Sequence, residues 1–130
     1  MNDEDKKIAI QLLIEKSERH LTQAKQNAEL KNWDLVANRL YYSIFHAVTA
    51  LLLKDNIEVK THKGRAQQFG QFYVLTGKFE REEGRLYNNL QQMREEADYN
   101  NVFSLEETEA LDLIKRTQTL QQKIMSSLIQ

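Results

Sequence analysis

The chain of 130 residues has no cysteine, no proline, only four glycines and a formal net charge of −1. Without cysteine there is neither a disulfide nor a thiolate zinc site. Without proline, and with so little glycine, nothing in the chain forces frequent breaks in helical segments. A net charge so close to zero exerts no global pull on nucleic acid, so any such binding has to be local. No apolar run reaches the roughly 20 residues that a membrane span needs. The N-terminal stretch MNDEDKKIAIQ has neither the basic region nor the long apolar region of a signal peptide. A cytoplasmic protein with no membrane association is expected. A Gly-rich phosphate loop, a His-x-x-x-His pair and a Ser-His-Asp set are all missing, so neither a metal nor a cofactor is expected.

What is present is helical periodicity. A single all-α domain over residues 1–130 is expected, an up-and-down antiparallel bundle of four to five helices. Asp3 is suited to cap a first helix that runs to about Leu30, with Ile8, Leu12, Ile14, Leu21, Ala24 and Ala28 facing the core. The segment Asn32 to Lys54 is apolar on nearly every face from Leu40 to Leu53, which marks a helix surrounded by others. Leu40, Ile44, Phe45, Val48 and Leu52 should be deeply buried. Thr61 caps a third helix reaching about Leu75, and Gly77 then turns the chain. A fourth helix starts near Glu80 and closes at Tyr99-Asn100-Asn101. Ser104 and Glu107 form a capping box for the last.

Three groups of residues have the means for chemistry. Arg39, Tyr42 and His46 stand at i, i+3 and i+7 on the central helix and so share a face. A buried polar cluster that merely satisfies itself is one reading of them, and a phosphate-holding guanidinium beside a proton-moving imidazole is the other. Lys60, His62, Lys63 and Arg65 gather at the start of the third helix, in a stretch from 60 to 79 that contains no acid. Such a run is either a solvated face or a local anion site. Arg94 and Asp98 are four apart and can pair on the surface. Alternatively Asp98 serves Arg39 or His46, and the expectation is that it does so, because a guanidinium leading into a buried run needs a carboxylate.

Taken in order, Asn38-Arg39-x-Tyr41-Tyr42-x-x-Phe45-His46, Thr61-His62-x-Gly64, Phe69-Gly70, Thr76-Gly77-Lys78 and Arg94-x-x-Ala97-Asp98-Tyr99 resemble the HEPN domain family. The likeness is to its small stand-alone bacterial and archaeal branch, from about Leu12 to Leu120. The resemblance implies the helical bundle, a homodimer, and a nucleotidyltransferase partner in a toxin-antitoxin pair. It also implies that active members are metal-independent ribonucleases, marked by an arginine and, about a turn later, a histidine on a late helix. Here Arg94 is followed at that place by Tyr99. Arg39 and His46 have the right spacing, but on the second helix. The expected function is therefore a non-catalytic module that binds a nucleotide, an RNA or a partner nucleotidyltransferase. Its site would comprise Arg39, Tyr42, His46, Arg94, Asp98 and Tyr99, approached over Lys60, His62, Lys63 and Arg65. The alternatives are a ribonuclease, with His46 or His62 as base and Arg39 or Arg94 steadying the phosphate, and a plain helical interaction module.

Overall fold

A computed structural model describes residues 1–58 and 61–129. Helices α1 (Asp3–Glu29), α2 (Trp33–Lys54), α3 (His62–Phe69), α4 (Arg81–Tyr99) and α5 (Glu107–Leu128) make up the bundle, and the described residues contain no strand. The all-α expectation holds.

The central helix behaves as its composition requires. Leu40, Ile44, Val48 and Leu52 are fully enclosed and Phe45 nearly so, with α1, α4 and α5 packed around them. Its contact with α1 includes a pair of small polar side chains, Ser17 and Ser43. Ser17 Oγ donates to the Ser43 carbonyl at 2.7 Å and Ser43 Oγ donates to the Ser17 carbonyl at 2.9 Å. Both serines are buried, and the reciprocal bonds remove the cost of placing two hydroxyls in a core. Short links set the antiparallel order. Lys31 turns the α1–α2 corner with φ 59°, Asn56 closes α2 with φ 58°, and Gly77, at φ 84°, takes the left-handed conformation foreseen for it.

Several boundaries differ from the sequence reading. Asn2, not Asp3, caps α1, its Oδ1 accepting from the Asp5 amide at 2.8 Å. Ile8 and Leu12 are exposed, because the buried stripe of α1 runs through Ser17, Leu21 and Ala24 instead. Thr61 does cap α3, accepting from the Gly64 amide at 3.0 Å. That helix, however, is α-helical only to Phe69 and continues as a π-helical turn, Gly70–Val74, in which the Leu75 amide reaches the Gly70 carbonyl at 2.9 Å. The widened turn carries Tyr73 to Asp55, to whose carboxylate its hydroxyl donates at 2.6 Å. At α4 the Glu80 and Glu83 side chains form the capping box. At α5 the expected box is not made: Glu106 occupies the cap and the helix starts at Glu107.

Candidate functional site

Three helices meet where α2 turns its aromatic side toward α3 and α4. Tyr41 and Phe45, one helical turn apart, are both buried there. The first residue of α3, His62, lies flat on Phe45 with ring centres 4.3 Å apart, and its Nδ1 is 2.8 Å from the Tyr41 hydroxyl. That hydrogen bond orients the ring and leaves Nε2 to other partners.

Two arginines close over this aromatic floor from either side. The Arg65 guanidinium carbon is 4.2 Å from the Phe45 ring centre, and that of Arg94 is 5.1 Å from Tyr41 and 5.9 Å from Tyr42. Contacts of this kind hold a guanidinium in place without neutralising it. Arg65 has no ion pair among the described residues, and the Nε atoms of both arginines are buried without a hydrogen-bond partner there. Arg94 has one carboxylate, Asp98, at 3.3 Å.

The electrostatics follow from this arrangement. Burial first, then the positive charges of Arg65 and Arg94, lower the His62 pKa from its ordinary value, so the ring is neutral at physiological pH. Burial pushes Tyr41 up to about 12 and lowers Arg65 somewhat. The buried Tyr87 hydroxyl, also without a partner among the described residues, is pushed up in the same way. The result is a concentrated positive site with neutral hydrogen-bonding groups between its charges. Among the described residues no group of three or more His, Cys, Asp or Glu side chains could hold a metal ion.

The sequence-predicted residues divide around this centre. His62, Arg65, Arg94 and Tyr42 are in it. His46 is one turn away, facing His20 of α1 at 5.1 Å between ring centres and Tyr42 at 6.1 Å. Burial, then His20 and the cations Lys16, Arg65 and Arg19, lowers the His46 pKa to about 4. The expected link from Asp98 to Arg39 or His46 is not made. Asp98 turns back along its own helix to Arg94, while Arg39 donates to the neighbouring Asn38 side chain. Arg39 is only half-buried and meets solvent, so it does not need the internal carboxylate that was foreseen. Tyr99 is 83% exposed at the end of α4. Lys63 is exposed on the outer face of α3, and Lys60 lies outside the described residues. In the sequence, Tyr41 and Phe45 carry the signature of motif and core alone. Their one-turn spacing, just ahead of His46, is the signal that they form a floor.

Comparison with known proteins places the chain among relatives of like size. The HEPN domain family model matches residues 10–126. The chain is similar to a Methanocaldococcus jannaschii protein named "Putative toxin MJ0605", 36% identical over 119 residues, covering 92% of this chain and 88% of that protein. It is similar to a Thermotoga maritima protein named "UPF0332 protein", 32% identical over 122 residues, covering 91% and 88%. A second M. jannaschii protein, named "Putative toxin MJ0142", is 30% identical over 107 residues, covering 82% and 73%.

Proposed function

This chain belongs to the HEPN domain family, and on that premise we propose that it binds the phosphate groups of a nucleotide or of single-stranded RNA through Arg65 and Arg94. The observation that carries the reading is the pair of guanidiniums seated on Phe45 and Tyr41 with their Nε atoms unpartnered. Arginines held for structure normally end on a carboxylate. Here one has none among the described residues, and the other has a pair at 3.3 Å that an incoming anion can replace. His62, neutral and fixed by Tyr41, supplies a further hydrogen bond to phosphate.

Similarity to proteins named as toxins supports a toxin-like role. The same reading includes a second copy of the chain or a nucleotidyltransferase as partner, for which exposed Tyr99 and Val102 beside the Arg94–Asp98 pair offer a surface. Binding without rapid cleavage is the form we favour, because Tyr99, five residues after Arg94 where the active members carry a histidine, is 83% exposed, and no second imidazole contacts His62. A ribonuclease is the second reading. It is favoured by one specific observation, an oriented His62 whose Nε2 has no partner among the described residues and which stands beside two cations, the arrangement a general base would use.

The experiment is a fluorescence-anisotropy titration of labelled single-stranded RNA with wild type, Arg65→Ala and Arg94→Ala, together with a metal-free incubation of the same RNA. Binding that weakens in both variants, with the RNA left intact, is expected. Rapid cleavage abolished by His62→Ala would establish the ribonuclease instead. No binding by the wild type would overturn both.

A further inference from the structure

The aromatic floor does not end at the two arginines. Tyr42 belongs to it, its ring centre 5.9 Å from the Arg94 guanidinium carbon and 5.9 Å from the centre of His62. The same ring also meets two further imidazoles, His20 of α1 and His46 of α2, each at 6.1 Å between ring centres. Those two lie 5.1 Å from one another. Tyr42 therefore joins two groups of rings by direct contact with both.

The second group resembles the first in what it leaves unused. Nδ1 of His20 is taken by the Lys16 carbonyl at 2.7 Å, which leaves its Nε2 without a partner among the described residues. Neither nitrogen of His46 nor the hydroxyl of Tyr42 has a hydrogen-bond partner there. All three side chains are partly open to solvent. Arg39, one turn before Tyr42 on α2, has no ion pair among the described residues and donates to Asn38. The charged groups whose fields reach the two imidazoles are Lys16, Arg19, Arg39 and Arg65, all positive. Burial first, and these charges with it, lower both imidazole pKa values, so the rings are neutral at physiological pH.

Neutral rings beside unpaired cations are the composition of a platform for single strands. Bases stack on the rings whatever their sequence, because every base has a π face, and the backbone follows the positive charge. A mononucleotide whose phosphate rests on Arg65 and Arg94 has no second base or phosphate to place on the neighbouring group. A strand has both.

We infer that His20, Tyr42 and His46 form a second nucleotide subsite, in which a base lies against the three rings and its phosphate rests on Arg39, so that the ligand is a single strand of at least two nucleotides and not a mononucleotide. The inference rests on the phosphate-binding reading above and chooses the strand over the free nucleotide.

The three histidines of the chain report the two subsites separately, His62 the first and His20 with His46 the second. The test follows their ring signals by nuclear magnetic resonance while UMP or the trinucleotide pUpUpU is added to wild type, His20→Leu and Arg39→Ala. UMP should move His62 alone, and pUpUpU should move all three. Wild type should hold pUpUpU about tenfold more tightly than UMP, within the range that one stacked base contributes. That ratio should fall to near one in both variants, with the affinity for UMP unchanged. Circular dichroism checks that each variant is folded, and the wild-type shifts decide the question where one is not. A trinucleotide that moves only His62, or UMP that moves His20 and His46 as well, overturns the second subsite and leaves phosphate binding standing. So does a strand advantage that survives in both folded variants. If neither ligand binds the wild type, both readings fall.

Discussion

The hydroxyl of Tyr41 meets Nδ1 of His62 at 2.8 Å, and through that one bond the buried wall of α2 fixes the first residue of α3. Tyr41 is enclosed and remains a neutral phenol, its pKa pushed up to about 12 by burial, so the bond persists across the physiological range. Replacing Tyr41 by phenylalanine removes the bond while preserving the floor beneath Arg94. A loss of about 0.5–1.5 kcal/mol in urea unfolding is expected. In nitrogen-15 spectra the His62 ring should change its tautomer balance. Unchanged stability together with unchanged imidazole signals would show that the bond has no role in placing His62.

His46 supplies a pH dependence of definite sign. Its pKa is lowered from the ordinary 6.5 to about 4, chiefly by burial, so the folded protein resists protonation that the unfolded chain accepts. The resulting stability is fully present above the unfolded pKa and is lost as pH falls from about 6.5 towards about 4. Because the ring is in partial contact with solvent, the contribution is on the order of 1 kcal/mol after screening. Thermal unfolding of wild type and His46→Gln at neutral pH and at about pH 4.5 isolates it from the carboxylates that titrate in the same range. The variant should lose less stability than wild type between the two conditions. An equal loss in both would contradict the assignment.

Asp98 is best read as a brake on Arg94. The pair is four residues apart on α4 and 3.3 Å in length, worth about 0.3–0.5 kcal/mol to the helix. Asp98→Asn should leave the midpoint of unfolding almost unchanged and should tighten RNA binding several-fold, by removing a like charge from the phosphate's path. Weaker binding in this variant would mean that the carboxylate orients Arg94 productively.

Where the sequence could be read, the reason was composition on a regular period. The all-round apolar stretch from Leu40 to Leu53 could only be a surrounded helix, and Thr61 and Gly77 each have a local physical role that their residue type announces. The site was half legible. His62, Arg65 and Arg94 stand out as basic residue types in marked positions, but what joins them is a floor of Tyr41 and Phe45, residues that look like core in any helix. Asp98 went astray because an i, i+4 carboxylate and a carboxylate crossing to another helix carry the same sequence signal. The π-helical turn at Gly70–Val74 has no periodic signature of its own, and neither does the choice of Glu106 over Ser104 at the start of α5. The first of these brings Tyr73 to the Asp55 carboxylate.

The most direct measurement of phosphate binding at Arg65 and Arg94 is the salt dependence of single-stranded RNA affinity. Each phosphate neutralised on a single strand contributes about 0.7 to the slope of log affinity against log salt. Arg65→Ala and Arg94→Ala should each weaken binding and each flatten that slope by roughly this amount. The double variant should lose close to the sum. Affinity and slope identical to wild type in both single variants would contradict the account, and would place the nucleic acid elsewhere on the protein or nowhere.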